Sequence, residues 1–104
     1  MAVSTLSKTI DTRVCFLRNI NAGNTYSITV SDNYRGIFVT IGANNYKGLW
    51  IVNSASNGAV SIEAVHAPTA ITLSPSTNNV LTIANSGSAS PGLFAIEFSG
   101  IARI

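Results

Sequence analysis

Residues Arg35 to Asn53, Arg35-Gly-Ile-Phe-Val-Thr-Ile-Gly-Ala-Asn-Asn-Tyr-Lys-Gly-Leu-Trp-Ile-Val-Asn53, read as two β-strands folded back through a polar, glycine-bounded turn. Both faces of this hairpin are apolar, and that constrains the chain more than any other feature. Ile37, Val39 and Ile41 fall on one face with Leu49 and Ile51, the period-two signature of a buried sheet face, and this face is expected to be the inner one. Phe38, Trp50 and Val52 fall on the opposite face. A sheet that is apolar on both sides needs cover on both. A chain of 104 residues has material for one core, so further copies of the chain are expected to cover the second face.

Only 10 % of the residues are charged, against about 25 % in an ordinary soluble domain, while 46 % are hydrophobic. Ser, Thr and Asn must therefore supply most of the exposed side chains, a habit of extracellular and virion β-proteins. The six basic residues, Lys8, Arg13, Arg18, Arg35, Lys47 and Arg103, are scattered. Nucleic-acid binding needs clustered cations to displace counterions, and is not expected. Cys15 is the only cysteine, so no intrachain disulfide can form, and its place in the strand-like run Thr12 to Arg18 suggests a buried thiol. No apolar run reaches membrane-spanning length, and Met1 to Lys8 lacks the pattern of a secretory leader, so no membrane insertion is expected.

In chain order, residues 1–11 read as a lead-in and 12–104 as one β-sandwich domain. Strands are predicted over 12–20, 25–30, 35–41, 49–53, 59–65, 70–73, 80–84 and 93–99, giving eight or nine short strands separated by turn residues. On the first, Val14, Phe16 and Ile20 should share a face. Tyr26, Ile28 and Val30 point inward from the second, Val60, Ile62 and Ala64 from the fifth, and Leu81 and Ile83 from the seventh. Asn57-Gly58 is suited to positive φ in a tight turn. No segment has helical periodicity, so the chain is predicted to be all-β, an antiparallel, jelly-roll-like sandwich.

Chemistry-bearing residues are few. His66 is the only histidine, and Asp11, Asp32, Glu63 and Glu97 are the only carboxylates. Neither a zinc site nor a Ser-His-Asp triad can be assembled convincingly from such a set, and no phosphate loop is present. The reading is therefore non-enzymatic, with no catalytic residue, metal or cofactor. Phe94, Ile96 and Phe98 share one face of the last strand. With Phe38, Trp50 and Val52 they would expose a large apolar area in a monomer. Phe38, Trp50, Val52, Phe94 and Phe98 are accordingly expected at a subunit interface. The competing reading is that they fill the sandwich.

Several runs carry a resemblance: Arg35 to Gly42, Lys47 to Asn53, Ile71 to Ser74, Asn79 to Asn85 and Leu93 to Gly100. In pattern they look like the C-terminal β-sandwich of bacteriophage tail fibres, tailspikes and head fibres. The resemblance implies a homotrimer on the virion, contacting a bacterial surface glycan or protein receptor, or trimerising the fibre. For glycan binding, Tyr34, Tyr46 and Trp50 could stack on sugar rings. Asp32, Asn33, Asn44, Asn45 and Lys47 could donate or accept hydrogen bonds. The Gly42–Gly48 loop, with Asn44, Asn45, Tyr46 and Lys47, is the preferred ligand site. A purely structural capsid or decoration protein, and a monomeric carbohydrate-binding module, are the alternatives.

Overall fold

The computed structural model describes residues 10–100. They form eight strands: β1 (Ile10–Asn19), β2 (Thr25–Thr29), β3 (Arg35–Ile41), β4 (Gly48–Ser54), β5 (Val60–His66), β6 (Ile71–Pro75), β7 (Val80–Asn85) and β8 (Gly92–Gly100). No helix occurs among the described residues. Nearly all of the expected lead-in lies outside them, except Ile10 and Asp11, which already belong to β1.

The strands make two sheets, a five-stranded one in the order β1-β8-β3-β4-β5 and a three-stranded one in the order β2-β7-β6. Every pairing is antiparallel, and β1 with β8 encloses β2 with β7. One hydrophobic cluster joins the sheets. Phe38, Trp50, Val52 and Leu93 come to it from the larger sheet, Ile71, Leu81 and Ile83 from the smaller. Tyr26, Ile28, Val60 and Ile62 line its margins as their alternation predicts.

The central hairpin is inside out relative to its sequence reading. Phe38, Trp50 and Val52 are 1 %, 2 % and 0 % exposed, and therefore belong to the chain's own core and not to a subunit interface. Ile41 and Ile51, expected inside, are 58 % and 41 % exposed. Sheets packed face to face stand about 10 Å apart, and long aromatic side chains fill that depth better than branched aliphatic ones. Trp50 also needs Gly48 beside it. A Cβ at Gly48 would run into the indole and into Pro68.

A bulge explains the reversal in β1. In β1 the register with β8 shifts between Phe16 and Arg18, so one extra residue, Leu17, inverts the alternation. Val14 and Phe16 then face outward, while Ile20 is fully buried. A second shift, opposite Leu49 and Trp50, pairs His66 with Leu49. Cys15, expected to be buried, is exposed. It pairs with Ala95 on the inner side of an edge strand, and the three strands of the smaller sheet do not reach across all five of the larger. The Asn57-Gly58 expectation holds in part: Gly58 has φ of 85° and its amide donates to the Ala55 carbonyl at 2.9 Å.

Candidate functional site

Four loops meet at one end of the molecule: β1–β2, β3–β4, β5–β6 and β7–β8. Antiparallel pairing brings them together, and backbone hydrogen bonds lock them, among them Ile20 N–H to Pro91 C=O at 2.8 Å, Ala70 N–H to Asn45 C=O at 3.0 Å and Ser86 N–H to Ala70 C=O at 2.9 Å. The preferred ligand loop lies here.

Within that loop, Tyr46 is a latch. Its hydroxyl accepts hydrogen bonds from the Ser88 and Ala89 amides at 2.8 and 3.0 Å. Those bonds, the Ala89 one foremost, hold the phenol below its usual pKa. Its carbonyl accepts from the buried Thr40 hydroxyl at 2.6 Å. Asn45 Oδ1 accepts from the Thr69 hydroxyl at 3.3 Å. Tyr46 and Asn45 thus tie three loops together, which leaves exposed Asn44 and Lys47 as the polar groups free of such duty. The other two rings suggested for sugar stacking are buried. Trp50 lies in the core, and Tyr34 is 7 % exposed with its hydroxyl donating to the Ile96 carbonyl at 3.3 Å. Burial, and then the charge of Glu97, push Tyr34 up to about 12.

Asn85 anchors the same end from below and had no role assigned to it in the sequence reading. It is 2 % exposed. Its Nδ2 donates to the carbonyls of Ile20 at 2.8 Å and Ala89 at 2.7 Å, and its Oδ1 accepts from Gly87 N–H at 2.8 Å. The signal available was an asparagine at a strand end before a glycine-serine loop. Asn85→Ala strands two carbonyls and one amide, and should lower unfolding stability by about 1–3 kcal/mol in a denaturant titration.

The second candidate surface is the outer face of the five-stranded sheet. Cross-strand register aligns its side chains in rungs. One rung runs Phe16, Phe94, Val39, Leu49 and His66, and the next runs Val14, Ile96, Ile37, Ile51 and Glu63. Phe98 extends the apolar field along β8 and is 40 % exposed; Val14 is 66 % exposed and Phe16 51 %. Phe16 and Phe94 stack at a tilt, centroids 5.1 Å apart. A depression of about 480 Å³ opens at the loop end, lined by Val39, Ile41, Lys47, Leu49 and His66 among others. Of the five residues expected at an interface, Phe94 and Phe98 lie on this face, and the other three lie behind it.

A face of this composition is suited to burying apolar area against another surface, and the loop end to presenting the exposed side chains of Asn44 and Lys47. Comparison of the chain with protein-family models, curated proteins and solved structures returned no match.

Proposed function

We propose that this chain is a non-enzymatic, self-assembling module of a virion fibre, a jelly-roll-like sandwich that forms a homotrimer through the outer face of its five-stranded sheet. The observation that carries the reading is the apolar field from Val14 across to Ile51, which no other part of the described chain covers. The nested β1–β8 and β2–β7 pairings suit a jelly-roll-like description.

The width of the sheet favours three copies. Five strands at about 4.8 Å span roughly 19 Å, and three such faces set as a prism stand roughly 5–6 Å from their common axis, about half the ~10 Å spacing of packed sheets. Side chains from three faces would therefore fill the interior, with β3 innermost. Burying a large apolar side chain stabilises by roughly 1.5–3 kcal/mol, so several per chain offset the entropic cost of association. Contact with a bacterial surface glycan or protein receptor falls to the loop end, where Asn44 and Lys47 are exposed. A purely structural capsid or decoration unit would share the assembly and ignore glycans; a monomeric carbohydrate-binding module would not assemble.

Rotation about an axis parallel to the strands keeps each rung at its height. Val14 of one copy then meets Glu63 of the next, since both terminate one rung at opposite edges. Val14→Cys combined with Glu63→Cys, in a Cys15→Ser background, should oxidise to covalent trimers on a denaturing gel. A ladder that stops at dimers contradicts the three-fold arrangement, and the absence of cross-links in a chain of monomeric size contradicts the assembly itself.

A further inference from the structure

We propose that the depression at the loop end binds an amphiphilic organic anion, a short hydrocarbon chain ending in a carboxylate. One chain supplies the whole lining, so the site goes beyond the assembly proposed above and does not require it.

At about 480 Å³ the hollow has the size of a small-molecule site, roughly 300–1,000 Å³. Its apolar lining comes from Val39, Ile41 and Leu49. Ile41 stands across from Gly92 on β8 and is followed by Gly42, so two positions around it carry no side chain, and it is 58 % exposed. Val39 and Leu49, paired across β3 and β4, are half-buried. Lys47 and His66 supply the polar lining. His66 is brought there by the register shift between β4 and β5. Trp50 faces Ala64, and an unbroken register would set Val65 opposite Leu49, but His66 takes that position. Lys47 rides on a fastened loop. Its amide and that of Tyr46 both donate to the Ala43 carbonyl, at 3.1 and 2.8 Å, and the Tyr46 hydroxyl is tied to Ser88 and Ala89.

The charge around the hollow has one sign. None of the chain's four carboxylates lines it. Asp32 lies in the β2–β3 turn at the opposite end, accepting from Asn79 Nδ2 at 2.8 Å. Glu97, across from Gly36, lines a separate hollow between the sheets. Asp11 pairs with Ser99 at the far end of β1, and Glu63 is one rung along β5, opposite Ile51. An ammonium and an imidazole N–H beside three aliphatic side chains match a carboxylate on a hydrocarbon stem. Lys47 supplies the charge, and His66 a donor N–H in either protonation state. A cationic head would be repelled by Lys47, and a small inorganic anion would leave the aliphatic lining in water.

The test is amide and methyl NMR of the whole chain at neutral pH, titrated with octanoate and, for comparison, with octyltrimethylammonium and acetate. Octanoate should shift the signals of Val39, Ile41, Lys47, Leu49 and His66 saturably in the millimolar range. Acetate, which lacks the stem, should bind at least about tenfold more weakly. Lys47→Glu should weaken octanoate by about threefold or more and turn the preference toward octyltrimethylammonium. Lys47 is exposed, so this variant should keep the fold, with the Trp50 signals unmoved. No response to octanoate, shifts centred on Trp50, Ile62 and Leu73 or spread to Phe16 and Phe94, or equal affinity for the two octyl ions would each overturn the proposal. Sedimentation of the same samples reads assembly separately: trimers that ignore octanoate overturn this site alone, and monomers that bind it overturn the assembly alone.

Discussion

Trp50→Ala should cost the folded chain about 3–5 kcal/mol, the range for removing a fully packed large aromatic. Trp50 is 2 % exposed, lies in the cluster formed with Phe38, Val52, Leu81 and Ile83, and packs over Gly48 and Pro68. Its removal leaves a cavity between two sheets that the β3–β4 and β6–β7 hairpins hold apart, so the site can collapse only in part. A domain of this size has about 5–15 kcal/mol of stability in total, and the variant should unfold at much lower denaturant concentration. This outcome separates the two readings of the hairpin. An interface tryptophan would leave the isolated subunit folded and affect only assembly. An unfolding midpoint close to that of the parent chain, with assembly lost, would restore the indole to the interface.

Ile37→Lys should have the converse effect. Ile37 is half-buried in the middle rung of the outer face, between Ile96 on β8 and Ile51 on β4, on the strand set innermost in the proposed prism. In a separate subunit the lysine stem can lie along its neighbours with the ammonium in water, so the fold should survive. In an assembly three ammonium groups would be brought together near one axis without partners, a desolvation and repulsion cost of several kcal/mol. Association should weaken by at least a hundredfold, about 2.7 kcal/mol, while the near-ultraviolet spectrum of Trp50 stays that of the folded chain. If Ile37→Lys assembles as the parent does, the outer face is not the seam.

The strand boundaries were legible because the turn residues announce them. Asn21-Ala-Gly-Asn24 and Ser31-Asp-Asn-Tyr34 carry positive φ at Gly23 and Asn33, and all eight strands fall where alternation breaks at such runs. The inside and outside of the central hairpin were misread because alternation defines two faces without ranking them. The face richer in aliphatic residues looked like the core. A better guide was the mixture of sizes on the other face: Gly36, Phe38 and Thr40 on β3, with Gly48, Trp50 and Val52 on β4, all of them buried. Large rings beside glycines are what interlocking across a sheet gap requires. The β1 reversal could not be read locally, since the bulge at Leu17 depends on register with β8, some eighty positions away. The ligand loop was found as a turn, but the bonds from Tyr46 to Ser88 and Ala89 are tertiary, and they convert an apparent sugar platform into a fastening.

Sedimentation equilibrium of the unmodified chain, over a concentration series extending to high concentration, bears most directly on whether the outer sheet face is shared between copies. The account predicts a particle of three chain masses that dissociates on dilution. A particle of one chain mass throughout the series would contradict it.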